Sequence, residues 1–124
     1  MFELSKQFRF DAAHTLDRVI ETESSRRIHG HSYRAEVFVR GRPDPTTGMV
    51  VDLGLLQKTM EDARDALDHR FLDEINELGP ATMENLSRWI WNRLTPVIGN
   101  LYKITVYRDS SGEACSYWGE EVAA

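Results

Sequence analysis

From Phe2 to Phe10, in FELSKQFRF, the side chains of Phe2, Leu4, Phe8 and Phe10 share one parity while Glu3, Ser5, Gln7 and Arg9 share the other. Successive side chains of a strand point to opposite faces, so this period of two makes a strand with one dry face and one wet face. A dry face needs a covering layer, and that requirement constrains everything that follows. The alternation returns from Ser32 to Arg40, where Tyr33, Ala35, Val37 and Val39 share a face, and GRPDPTTG then ends the run with two prolines and two glycines. The two segments predict a long antiparallel hairpin. Between them, DRVIETESSRR is charged and aperiodic, which predicts a surface loop of the kind that often carries function.

The cover comes from two helical patterns. Asp52 can cap a helix in which Leu53, Leu56, Met60, Ala63 and Leu67 follow at spacings of three and four. A second helix is expected from Thr82 as N-cap, with Glu84 in its first turn, an apolar stripe of Leu86, Trp89, Ile90, Leu94 and Val97, and Gly99 as its end. LYKITVYR and EACSYWG, joined by DSSG, predict two closing strands. The order β-β-α-α-β-β predicts an α+β fold: a four-stranded antiparallel sheet with both helices on one face. A chain of 124 residues can bury one core, so a single domain over residues 1–124 is expected.

Acidic residues outnumber basic ones by 20 to 15, which removes any general attraction to nucleic acid or to an anionic membrane and leaves a small molecule as the expected partner. No segment approaches the roughly 18 apolar residues of a membrane span. Cys115 is the only cysteine and cannot form an intrachain disulfide. A cytoplasmic protein is therefore expected.

Three histidines could share a site. If His29 and His31 begin the second strand, the period of two puts both rings on one face, with Gly30 between them, and pairing of the first two strands can bring His14 opposite. Three neutral imidazoles around an open fourth position suit a catalytic Zn2+ more than a structural one, which would use thiolates. A bare HxH also fits a polar turn without metal. The fourth histidine, His69, follows Asp68, and a carboxylate can fix an imidazole tautomer for acid/base work. Neighbouring residues on a helix do not face each other, so that pairing requires the helix to have ended.

The blocks FRFDAAH, HGHSY, GMVVDLGLL, LDHRFLD and TMENLSRWIW, in that order, resemble the 6-pyruvoyl tetrahydropterin synthase and 6-carboxytetrahydropterin synthase family over nearly the whole chain. The resemblance implies a tunnelling fold (T-fold), in which the sheets of three subunits join edge to edge and two trimers stack into a hexamer, with active sites at subunit interfaces. It implies zinc on His14, His29 and His31, a proton relay of Asp68 and His69, and a pterin held near Thr82 and Glu84. It further implies lyase chemistry on 7,8-dihydroneopterin triphosphate, giving 6-carboxy-5,6,7,8-tetrahydropterin, the queuosine-precursor type, or a related 6-substituted pterin.

Two positions depart from the family pattern. Four residues before the first histidine of HGH the family usually has a catalytic cysteine, and here stands Ser25, whose hydroxyl is far less acidic than a thiol. His69 with Asp68, a zinc-bound hydroxide, or Glu23 would have to take over its proton. Where the third strand of the family ends in a glutamate that grips the guanidine-like edge of the pterin, this chain has Arg108, with Asp109 one step on. An arginine cannot accept those donors, and a shifted aspartate can. The departures keep open a pterin- or purine-related substrate read by Arg108, and a zinc- and pterin-binding relative without the chemistry.

Overall fold

The computed structural model describes residues 1–20 and 22–120. Strand β1 (Phe2–His14) pairs antiparallel with β2 (His29–Gly41) over their full length, and β2 continues through β3 (Leu101–Arg108) to β4 (Glu113–Tyr117), so that the sheet runs β1-β2-β3-β4. Helix α1 (Thr22–Arg26) lies between β1 and β2, and α2 (Leu53–Leu67) and α3 (Met83–Leu94) lie between β2 and β3. Phe8, Phe10, Tyr33, Ala35, Val37, Val39, Ile104 and Val106 form the dry face of the sheet. Leu56, Met60, Leu67, Leu86, Ile90 and Leu94 cover it from α2 and α3.

The helices begin where short polar side chains meet otherwise unpaired amides. Asp52 accepts from the backbone N–H of Gly54 and Leu55, and Thr82 accepts from that of Asn85. Helix α3 ends at Leu94 and not at Gly99: Pro96, two residues on, has no N–H to continue the ladder, and Ile98 fills the core while Val97 stays exposed. Leu53 is exposed as well, because it begins the helix beyond the edge of the sheet-facing stripe. Phe2 shares the parity of Phe10 but is 59% exposed, lining an open cavity with the first turn of α2 instead of packing beneath it.

The segment expected to be a loop contains α1. Its one buried residue is Ser25, whose carbonyl accepts from the Leu16 N–H at 2.8 Å and ties the helix to the chain leaving β1. The rest of that helix is solvated, which is why its sequence has no readable period.

The opposite face of the sheet is polar. Glu36 at its centre accepts from Ser5, Gln7 and Tyr107, while Arg34 stacks 3.7 Å over the Tyr107 ring. Among the described residues no helix is long and apolar enough to cross a membrane.

Candidate active site and metal centre

The register of β1 on β2 sets His14 directly opposite His29, with Ala12 opposite His31. All three rings therefore lie on the same side of the sheet, beyond the end of the core. Their Nε2 atoms converge: His14 to His29 at 2.9 Å, His31 to His14 at 3.0 Å. Backbone carbonyls orient two of the rings from behind. His14 Nδ1 donates to the Ala81 carbonyl at 2.8 Å, and His29 Nδ1 to that of Arg27 at 2.7 Å. A proton held on Nδ1 leaves Nε2 as a bare lone pair, the tautomer that ligates metals.

This arrangement is under-satisfied as it stands. Unprotonated Nε2 atoms of His14 and His29 point lone pairs at each other, and His31 Nε2 receives only the Arg108 guanidinium, from 3.4 Å. Protonation is a poor remedy. Burial first, then Arg108, pushes the His31 imidazole down to about 4, and burial also lowers His14. A cation among the three lone pairs resolves the conflict. Ligand nitrogens about 2.0–2.1 Å from a tetrahedral zinc ion stand roughly 3.3 Å apart, a spacing compatible with two pairs at 2.9 and 3.0 Å and all three atoms within 4.8 Å of one another. The geometry thus positions three histidines to hold a metal ion.

Gly30 is not there for want of room. A Cβ added to it would meet only the Ala12 carbonyl oxygen, at 3.5 Å, an ordinary contact. Its vacant side faces a second cavity on the other side of the strand.

The cavity over the imidazoles, of about 320 Å³, is lined by His14, His29, His31, Ser25, Arg108 and Glu113, with Arg18 at its wall. Ser25 and the three histidines thus share one space, although Ser25 is carried by α1 and not by a strand. Glu23, exposed and paired with Arg27 at 3.1 Å, does not line it. Arg108 reaches the cavity because it has the parity of Ile104 and Val106. Asp109, one residue on, turns the other way: Arg34 holds its carboxylate in a two-pronged pair at 3.0 Å, with Arg9 behind. Glu113 was missed in the sequence. It is the cross-strand partner of Arg108 and accepts from its Nη2 at 2.9 Å, a pairing that the DSSG hairpin register could have disclosed. Cys115 lies away from this cavity, beside the Ser87 hydroxyl.

Asp68 and His69 are not in this space. Helix α2 ends at Leu67, Asp68 is extended, and His69 takes the left-handed conformation with φ 57°, which turns the two side chains together. His69 Nδ1 lies 3.0 Å from Asp68 Oδ2, while Oδ1 accepts from the Asp11 N–H at 2.9 Å. That backbone bond, ahead of His69 and Arg64, holds the Asp68 carboxyl below its usual range. His69 is 81% exposed and lines the second cavity, of about 520 Å³, with Asp11, Gly30, Ser32 and His31, which borders both cavities. Thr82 is occupied as the α3 cap, and Glu84, in the first turn, is exposed.

The four-stranded antiparallel sheet with two covering helices is the architecture of the T-fold, and the three convergent histidines at its end could hold a metal ion. The family model described as 6-pyruvoyl tetrahydropterin synthase matches residues 3–120, and the chain belongs to that family. It is 34% identical to human 6-pyruvoyl tetrahydrobiopterin synthase over 95% of this chain and 92% of that one. It is also 34% identical to a 6-carboxy-5,6,7,8-tetrahydropterin synthase of Synechocystis, covering 76% of this chain and 75% of the relative. The solved structure of the Caenorhabditis elegans 6-pyruvoyl tetrahydropterin synthase superposes with a TM-score of 0.83 at 30% identity, over 96% of each chain. The chain thus has the fold and family of the lyases of tetrahydropterin synthesis.

Proposed function

We propose that the protein is a zinc-dependent lyase acting on 7,8-dihydroneopterin triphosphate, forming 6-carboxy-5,6,7,8-tetrahydropterin or a related 6-substituted pterin. The observation that carries this reading is the convergence of His14, His29 and His31 Nε2 in one cavity with Ser25. Zinc held there supplies Lewis-acid polarisation of the substrate's side-chain hydroxyls. The protein's own groups do the rest. Buried Ser25 offers a hydroxyl that can orient a substrate oxygen by donating or accepting, but it is too weak an acid to replace a thiol as proton carrier.

Proton transfer falls to His69. Asp68 fixes the proton on His69 Nδ1 and leaves Nε2 free to take one from carbon or oxygen. His69 is exposed and stands outside the convergent set of His14, His29 and His31, so this reading places the Asp68–His69 pair of one copy against the histidine cluster of another. The trimers and hexamers implied by the family resemblance would provide such a contact, with the β1 edge ahead of Arg9 as its backbone, since Arg9, Asp11 and Ala13 are already bonded to α2 and the segment after it. Thr82 and Glu84 at the start of α3 are the proposed pterin-holding segment.

The test is mass spectrometry of pterins after incubating zinc-loaded protein with 7,8-dihydroneopterin triphosphate, with and without acetaldehyde trapping. A product that has lost triphosphate, and that His14→Ala does not make, establishes the lyase and identifies the bond broken. No product from well-folded, zinc-replete protein moves the assignment to a second reading. In that reading the substrate is a pterin- or purine-related ring with a carbonyl-rich edge, or the protein binds zinc and a pterin without turnover. The presence of Arg108 in the cavity favours it. Restoring the thiol by Ser25→Cys should raise turnover by about a hundredfold, the low end for a positioned acid or base. Unchanged or lower turnover would show that Ser25 does not stand where a proton is transferred.

A further inference from the structure

Arg108 is the least satisfied group in the cavity. Its side chain is only 15% exposed, and its Nε is buried without a hydrogen-bond partner among the described residues. Nη2 is committed to Glu113, a half-exposed carboxylate. Nη1 lies 3.4 Å from His31 Nε2, the atom whose lone pair an ion on the cluster would take. Once that lone pair is used, Nη1 faces the open side of the cluster with one acceptor fewer. A guanidinium beside a divalent cation is then opposed by a single carboxylate, and the pocket carries net positive charge. An incoming donor edge, such as the guanidine-like edge of a pterin, would find only another donor at Arg108.

We propose that Arg108 makes the open side of the His14–His29–His31 cluster an oxyanion subsite, in which its free N–H groups hold a carboxylate or phosphate oxygen of the substrate. This rests on the metal reading above and names the chemistry that the cavity selects. A planar guanidinium with N–H groups directed at one point suits an oxygen anion better than a lysine would. The anion accepts from Nη1 and neutralises charge that Glu113 alone leaves uncompensated. Arg108 is thus a specificity-determining residue, placed where the family's pterin-gripping glutamate would stand.

Cobalt substitution tests this without turnover. The visible spectrum of Co2+-loaded protein is titrated at constant ionic strength with acetate in one arm and inorganic phosphate in the other, for the wild type, Arg108→Gln, Arg108→Lys and Glu113→Gln. The expected result is anion affinity about tenfold or more tighter in the wild type than in Arg108→Gln, a partial return in Arg108→Lys, and unchanged or tighter affinity in Glu113→Gln. Co2+ affinity itself should be undiminished in Arg108→Gln, because a repelling neighbour has been removed. The arm with the tighter response tells a carboxylate from a phosphate ligand. Equal anion affinity in wild type and Arg108→Gln overturns the subsite and leaves the metal centre standing. Should Arg108→Gln fail to fold, weaker anion binding in Glu113→Gln, where Arg108 is released, overturns it equally. Failure of the wild type to bind Co2+ overturns the metal reading and the subsite together.

Discussion

His31→Ala is expected to fold and to lose its divalent metal. Zinc on a set of about four protein ligands is bound with roughly 10–16 kcal/mol, or some 2.5–4 kcal/mol per ligand, so removing one imidazole of three should weaken retention by about two to three orders of magnitude. Metal content after dialysis against a chelator measures it. The control is His69→Ala, which should keep its metal because His69 is not one of the three convergent histidines. Full retention of metal by His31→Ala would sink the proposed site. The folded apoprotein should lose little, since outside the cluster the His31 ring makes only the 3.4 Å contact with Arg108 and the edge contact with Tyr33.

The same residue makes the metal-free wild type sensitive to acid. His31 binds a proton more weakly in the folded chain, at about 4, than in an unfolded one, near 6.5, through burial and then Arg108. The sign follows: its contribution to stability is complete above pH 6.5 and is lost as pH falls towards 4, because the unfolded chain takes up the proton first. Thermal melts in chelator should fall more steeply between pH 6.5 and 4 for the wild type than for His31→Ala. Parallel curves would show that the imidazole is not held neutral by its surroundings.

Phe10→Ala should be among the most damaging single changes, at about 3–5 kcal/mol for truncating a buried phenylalanine. Phe10 is 2% exposed and stacks on Tyr33 with ring centroids 4.9 Å apart. Tyr33 in turn meets the edge of the His31 ring at 5.7 Å, so the cavity left by Phe10 lies directly behind the histidine cluster. Urea midpoints of metal-free protein at neutral pH give the measurement. Phe2→Ala should cost under about 1 kcal/mol, since most of that ring is already in water. Equal losses for the two would mean that the dry face of β1 extends as far as Phe2.

That contrast marks the boundary between what is local and what is not. Phe2 and Phe10 have the same parity and the same chemistry, and nothing within ten residues of either says which one a helix will cover. Strands, helices and their order were legible because hydrogen-bonding period and side-chain direction repeat over short distances, and the caps Asp52 and Thr82 were legible because each serves amides only two or three residues on. His29 and His31 on one face follow from the same period. The T-fold itself was recognised from the motif blocks, since those blocks record constraints that composition and period do not.

Tertiary structure decided the rest. The register of β1 on β2 set His14 against His29, and backbone carbonyls from distant or irregular segments chose their tautomers. A left-handed His69 turned it towards Asp68, where a continuing helix would have kept them apart. Strand parity at the end of β3 sent Arg108 into the histidine cavity and Asp109 to Arg34 on the far face. A short helix with no apolar period placed Ser25 against the same cavity. Each of these depends on where a second segment lies, and charge, burial and hydrogen bonding between segments distant in sequence act only once the chain has closed around them.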